Sequence, residues 1–250
     1  MNISAKRTLL IDNSNTLTKL MLSSDGRFAS DRMVIPTAEI SVERLTQMLE
    51  GVRYDRVLIS SVVPSARAVL ASAFSVPVVF LSAEQRLPFT FYYEKLTSLG
   101  ADRVANVLGV ALLGRFPCVA VDLGTAVTFD VVEKREGEIC FTGGLISPGL
   151  ACMSQYLAYN TAQLPQVDLA DSARVIGRST QEAMRAGCVE GFCGMVQGIL
   201  ASVEKELGTR PYVVATGGDA ALIASRSGLV DAVEPLLTFN GLNEAVPYVF

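Results

Sequence analysis

The stretch VAVDLGTAVTFDVV at residues 119–132 decides the fold, because it repeats the outline of LLIDNSNTLTKLML at residues 9–22. Each reads as an aliphatic strand, an aspartate, a polar turn and a second strand. At an offset of 110 residues Asp12 meets Asp122, Ser14 meets Gly124, Asn15 meets Thr125 and Thr18 meets Thr128. Lys19 meets Phe129 and breaks the repeat with a charge. One such turn would carry little information, since Asp and Asn favour turns for local backbone reasons. Two of them, each with hydroxyl or amide groups at matching positions, point to paired phosphate loops. A repeated supersecondary unit sets the architecture. The expectation is two similar lobes, residues 1–115 and 116–250, each opening on a hairpin whose turn faces a common cleft.

The rest of the first half fits an α/β pattern. TLLID, LTKLMLS and RFASDRMVI read as three strands, the last two joined across the turn SSDG. AEISVERLTQMLEG places Ile40, Leu45, Met48 and Leu49 near one helical face and ends at Gly51. Then come the strand RVLISSVV, a helix opened by Pro64, the strand VPVVFL and the helix GADRVANVLGVALLG. Strands that alternate with helices predict a partly parallel sheet covered on both faces.

Composition narrows the partners. The chain has 250 residues, half of them hydrophobic, enough for a substantial core. Its 25 acidic residues outnumber 21 basic ones, and the basic residues are scattered, which argues against a nucleic acid surface. The N-terminal MNISAKRTLLID holds only a short apolar run, and no stretch approaches the roughly 18 uninterrupted apolar residues of a membrane span. A cytoplasmic location is expected. Cys118, Cys140, Cys152, Cys188 and Cys193 are odd in number, lie in apolar contexts and form no CxxC pair, so they read as small buried hydrophobes. Histidine is absent, which leaves acid and base chemistry to a carboxylate, lysine, tyrosine or cysteine.

A turn rich in backbone N–H, hydroxyl and amide donors can hold a polyphosphate, and an acid within it can bind the accompanying metal. Asp12 and its neighbours fit that reading, and Lys19 could reach a transferring phosphoryl group. DNSNTLTK at 12–19, GADR at 100–103, DLGTAVTFD at 122–130 and GGLISPG at 143–149 together resemble the type III pantothenate kinases. These belong to the actin, Hsp70 and sugar kinase superfamily, whose lobes are ribonuclease H-like, with mixed sheets flanked by helices.

The resemblance implies transfer of the ATP γ-phosphoryl group to the primary hydroxyl of pantothenate, the first step of coenzyme A synthesis. It makes Asp102 the general base. Independently, a carboxylate in the first turn of a helix is favoured in its ionised form, and phosphoryl transfer needs a positioned acceptor for the hydroxyl proton. Capping its own helix is the plainer use of Asp102. By the resemblance, Asp12, Asn13, Ser14, Asn15, Thr16, Leu17, Thr18, Lys19 and Thr125 bind ATP and its phosphates. Tyr93, Gly100, Ala101, Asp102, Arg103 and Thr180 bind pantothenate, with Tyr92 one residue away from exchanging with Tyr93. Asp122 would hold potassium or ammonium, and Asp12 would meet Mg²⁺ through phosphates or water. GGLISPG and ATGGDA, at 215–220, resemble the turns around the adenosine.

STQE at 179–182 has capping-box spacing, and the helix it starts carries Gly187, Gly191, Gly194 and Gly198 on one face. Such glycines cost roughly 1 kcal/mol each relative to alanine. Close packing against the sheet of the same lobe or a twofold-related helix must offset them, and a homodimer fits the second. Two other readings stand beside the kinase: a kinase or phosphatase for another small molecule, and a nucleotide-binding regulatory protein of the same fold, of the transcription accessory kind, with little turnover. Ser14 leans toward the last. Where the family carries glycine, a serine at positive φ would be strained and its side chain would crowd an anion; ordinary angles would instead let its hydroxyl add a donor. The expectation is weaker ATP binding than glycine would give.

Overall fold

A computed structural model describes residues 6–169 and 174–250. The first five residues, part of the N-terminal stretch read above, lie outside the described residues. The chain opens on β1 (Arg7–Asn13) and β2 (Leu17–Ser24), the antiparallel hairpin that carries the first polar turn. The expected third strand is two short pieces, β3 (Arg27–Phe28) and β4 (Met33–Pro36), both on β2. Ser30 Oγ accepts from Leu22 N between them, so a side chain takes the strand's place in the ladder there. Helix α1 (Val42–Met48) begins later than the periodicity implied, because Ser41 caps it by accepting from Arg44 N. It is followed by β5 (Arg56–Ser61), α2 (Arg67–Ser72), β6 (Val78–Phe80), β7 (Thr90–Phe91) and α3 (Ala101–Leu113).

The second half runs β8 (Cys118–Leu123), β9 (Ala126–Arg135), β10 (Glu138–Pro148), α4 (Leu150–Asn160), α5 (Thr180–Leu207), β11 (Tyr212–Thr216), α6 (Ala220–Ser227), β12 (Ala232–Val233) and α7 (Leu237–Val249). Contacts divide the chain into two compact units. Unit one holds 1–114, Lys134–Thr142 and Leu236–Phe250; unit two holds Arg115–Glu133 and Gly143–Pro235. They differ from the contiguous halves expected at 115/116, since the tip of the β9–β10 hairpin and the last helix group with unit one.

In unit one the sheet order is β3-β2-β1-β5-β6, with β5 and β6 parallel to β1. Leu9, Ile11, Val57 and Ile59 face one side, where Leu45 of α1 and Leu70 of α2 cover them. The registered partners Leu10 and Leu58 point to the other side and are fully buried. Helices α3 and α7 pack together through glycine. A β-carbon at Gly109 would sit 2.5 Å from the Leu237 carbonyl oxygen, and one at Gly241 would strike the Ala105 carbonyl oxygen. Thr238 Oγ1 donates to Asn106 Oδ1 at 2.8 Å across the same crossing. Backbone contact this close is closed to any larger residue, which explains why a segment 120 residues away in sequence joins α3.

In unit two β11, β8 and β9 lie side by side, flanked by β12 and β10. Val119, Val121, Val127 and Phe129 pack on the buried side of α5, where Val189, Phe192, Val196, Leu200 and Val203 align. By length and apolar composition α5 would also pass for a membrane-crossing helix; here that face forms a core. All five cysteines are free thiols, four of them buried, and Cys152 is half-exposed. Burial pushes the thiols of Cys188 and Cys193 up and, with help from Asp231, that of Cys118 to about 12, so they behave as the small hydrophobes expected.

Candidate functional site

The first polar turn is held by two layers of side chains, one on each face of the sheet. On the α1–α2 face, Asn13 Nδ2 donates to Thr18 Oγ1 at 2.8 Å, and Thr18 Oγ1 lies 2.9 Å from Thr37 Oγ1. Thr37 Oγ1 donates to the Ser14 carbonyl and Ser61 Oγ to Asn13 Oδ1, both at 2.7 Å. Asn13 and Thr18 are thus buried and engaged in fixing the turn, while Asn15, Thr16 and Leu17 stand exposed on it. On the opposite face lies Asp12, whose side chain is 5% exposed. Its Oδ1 accepts from Ser14 Oγ at 3.0 Å and its Oδ2 from Lys19 Nζ at 2.9 Å. The pairing follows from register, because Asp12 and Lys19 are directly opposed on β1 and β2.

Register also corrects the repeat. In the second hairpin Asp122 opposes Thr128 and Leu123 opposes Val127. Three residues separate Leu123 from Val127, against the four that separate Asn13 from Thr18, so the second turn is one residue shorter. Beyond the turn the offset becomes 109. Thr18 therefore corresponds to Val127, and Lys19 to Thr128 rather than Phe129. Phe129 is fully buried, as the face opposite Thr128 requires.

Ser14 has ordinary backbone angles, since Asp25 and Glu136 are the non-glycine residues at positive φ among those described. Gly124 is not at positive φ either, and a β-carbon there would meet only ordinary contacts, at 3.6 Å from Ala126 O and 3.9 Å from Asp122 Oδ1. The hairpin itself does not demand glycine at this place. The strain argument against Ser14 falls away, and its hydroxyl acts as a donor to Asp12.

The substrate segment also lies in unit one. Gly100 precedes α3, and a β-carbon there would strike Asp102 Oδ1. The carboxylate folds back over position 100 and accepts from Arg103 N at 2.8 Å, so GADR needs its glycine for the room its aspartate occupies. Ala101 is buried. Arg103 is 5% exposed and lies over two rings, 5.5 Å from the centre of Phe141 and 5.9 Å from that of Tyr93. Tyr93 in turn packs on Phe141 at 5.8 Å. Tyr92 is 54% exposed and stacks with Arg135 instead, so Tyr93 is the tyrosine beside Arg103. Phe141 is a member of this cluster that sequence reading missed; it stands two residues before GGLISPG but outside that motif.

In unit two three glycine-bearing segments meet at residues 122–125. A β-carbon at Gly149 would strike the Gly124 carbonyl oxygen, and Gly149 N donates to Thr125 O at 3.1 Å. Gly217, at φ +93°, leaves a β-carbon 2.5 Å from Leu123 O and 2.7 Å from Asp122 Oδ1. Asp219 N donates to Leu123 O at 3.1 Å. GGLISPG and ATGGDA therefore clasp the second polar turn, with Asp122 half-buried between it and Gly217 and Thr125 exposed. Thr180 is exposed at the first position of α5. Ser179 caps that helix by accepting from Glu182 N, but Glu182 reaches Arg178 N, one residue short of the reciprocal box.

No group of three His, Cys, Asp or Glu side chains suited to a metal occurs among the described residues. A single carboxylate suits Mg²⁺ only where phosphates and water complete the shell.

A family model described as type III pantothenate kinase matches residues 8–202. The chain is 51% identical over 237 residues to the type III pantothenate kinase of Akkermansia muciniphila, covering 95% of this chain and 97% of that one. It is 37% identical to that of Methylacidiphilum infernorum, covering 94% and 86%. Among solved structures, a protein described as a Baf family transcriptional activator from Campylobacter jejuni aligns with TM-score 0.61 at 19% identity, over 96% of this chain and 97% of that one. A ROK family glucokinase from Streptomyces griseus aligns with TM-score 0.56 at 13% identity, over 97% and 99%. These two likenesses show the fold alone, an α/β architecture shared with a sugar kinase.

Burial pushes the Asp219 carboxyl above its ordinary value of 3.8. An acid with a raised folded pKa favours the folded state below its unfolded pKa, an advantage lost as pH rises through the folded value. Asp219→Asn is therefore expected to raise the melting temperature at neutral pH and leave it unchanged at about pH 3; thermal unfolding at both pH values checks this, and an equal rise at both would refute it.

Proposed function

The chain belongs to the type III pantothenate kinases, and on that premise we propose how its residues divide the work. Its reaction is the ATP-dependent phosphorylation of pantothenate in coenzyme A biosynthesis. The observation that carries this is the family match over residues 8–202, which includes both polar turns, GADR, GGLISPG and Thr180.

Asp102 serves as general base. Its carboxylate is fixed by the Arg103 N–H at the positive end of α3, which favours the ionised form. It would accept the proton of the pantothenate hydroxyl as that oxygen attacks the γ-phosphorus. Arg103, oriented by the Tyr93 and Phe141 rings, would pair with the pantothenate carboxylate. Gly100 and Ala101 shape that wall, and Thr180 is assigned to the substrate by the resemblance alone.

Lys19 and the exposed backbone of residues 14–17 would neutralise and orient the phosphates in unit one, with Thr125 assigned the same task in unit two. Asp12 is a suitable single carboxylate for Mg²⁺ carried by ATP, an ion that would supply charge neutralisation on the phosphates. Asp122, with the carbonyl oxygens of its glycine-lined turn nearby, suits a hard monovalent cation such as potassium or ammonium.

We also propose a cytoplasmic homodimer. Among the described residues, a β-carbon at Gly187, Gly194 or Gly198 would meet no other element within 4 Å, and one at Gly191 would meet only Met153 Cε at 3.5 Å. All four are exposed. The sheet of the same unit is therefore not what packs on them, which supports the twofold-related helix. Sedimentation at micromolar protein is expected to give a dimer, and a monomer throughout would remove this assignment.

The central test is an ATP-dependent assay with pantothenate, with and without potassium. Product is expected from the wild type, and Asp102→Asn should lower kcat by about 10²–10⁴-fold. Gly100→Ala should lower kcat by roughly 10²-fold through displacement of the Asp102 carboxylate, without preventing folding, since Gly100 has ordinary angles (φ −59°). Absence of pantothenate-dependent product under any cation would refute the pantothenate assignment and leave another small-molecule substrate and the regulatory protein as the readings.

A further inference from the structure

Ser60 is buried beside the first polar turn and takes no part in the roles above. It is 1% exposed, and its Oγ is a buried atom with no hydrogen-bond partner among the described residues. Buried hydroxyls are normally paired, so an idle one needs a reason. Its neighbour Ser61 has one: it donates to Asn13 Oδ1 on the other face of the sheet.

Ser60 stands in register with Asp12 on the adjacent parallel strand. Registered residues of neighbouring strands point to the same face, about 4.8 Å apart. Two donors hold the Asp12 carboxylate, and register puts a third, idle hydroxyl on the same face one strand away. Ser14 Oγ holds Oδ1, Lys19 Nζ holds Oδ2, and the carboxylate is almost wholly buried.

This arrangement creates a difficulty for phosphoryl transfer, and the inference rests on that reading of the site. Lys19 cannot give its ammonium fully to a phosphoryl oxygen while it remains on Asp12. Withdrawing it frees a buried carboxylate oxygen, which would face the magnesium side only if it keeps its orientation and is unfavourable without a donor in reach. We propose that Ser60 is a positioning residue whose hydroxyl donates to the Asp12 carboxylate when Lys19 turns to the phosphate chain. The hydroxyl is idle with Lys19 in place and engaged with Lys19 withdrawn. It keeps Asp12 in one orientation through the change, and it lowers the barrier to releasing the lysine.

A ligand-free double-mutant cycle reads the hydrogen bond directly. Ser60→Ala alone should leave the melting temperature unchanged or raised, because the hydroxyl it removes has no partner. In a Lys19→Met background the hydroxyl is engaged, and Ser60→Ala should lower the melting temperature. Calorimetric titration of the single variants with a non-hydrolysable ATP analogue and magnesium gives a second readout: Ser60→Ala should weaken binding roughly tenfold. Ser60→Thr, which keeps the hydroxyl, should restore most of that loss. An additive cycle together with unchanged analogue affinity would overturn the proposal. So would a lowered melting temperature in the Lys19-containing background with equal losses for the alanine and threonine variants, which would mean packing. Should Lys19→Met fail to fold, the titration decides alone. Failure of the wild type to phosphorylate pantothenate would instead strike the kinase reading, which the ligand-free cycle does not depend on.

Discussion

Close approach at glycine is the constraint on which the second polar turn and the GADR segment depend. A β-carbon at Gly149 or Gly217 would collide with main-chain atoms of residues 122–125 in unit two. One at Gly100 would collide with the Asp102 carboxylate in unit one. Such contacts do for a ligand what side chains cannot: they bring rigid N–H and C=O dipoles to a fixed place without the entropy cost of ordering long side chains. The glycine signatures GADR, GGLISPG and ATGGDA are the sequence record of that requirement. They are not flexible joints. Gly100 and Gly149 have ordinary φ values and are glycine because of what lies against them.

Charge is organised around the first polar turn. Asp12 and Lys19 are opposed by strand register, and the carboxylate of the pair is almost wholly buried while the lysine is 27% exposed, so breaking the pair leaves the cost on Asp12. The site therefore holds its lysine in reserve instead of leaving it to solvent. Ser14 belongs to this economy. Its hydroxyl takes one oxygen of the carboxylate, which leaves the lysine responsible for the other alone. The serine that looked like a defect in a phosphate turn is better understood as part of the support for Asp12.

The lobes' hairpins, the α3 helix and the cluster at GADR were legible because each rests on local patterns: alternation, helical period, and polar residues bounded by apolar runs. What escaped was set by long-range geometry. The second hairpin turn is one residue shorter, so an ungapped comparison misplaced Lys19 against Phe129, although a fully buried Phe129 and a half-exposed Thr128 mark the slip. The attachment of α7 to α3 depends on Gly109 and Gly241, each an ordinary glycine until its counterpart is known. Phe141 and Ser60 sit in strands with no motif to single them out, and only register and burial reveal what they adjoin.

The same reasoning bears on α5. Its apolar face is accounted for by Phe192, Val196 and Leu200 in the unit two core, so its helicity does not depend on the glycine face. Yet Gly187, Gly194 and Gly198 lower helix stability by roughly 1 kcal/mol each relative to alanine, and among the described residues no other element fills the space their missing side chains leave. At Gly109 and Gly241 the same cost is offset by contact within the chain. A helix that keeps three glycines with open space before them has a surface shaped for something to come close. A twofold-related copy of α5 meets that shape without requiring any other partner, since glycine faces on both helices let the two backbones approach as α3 and α7 do here.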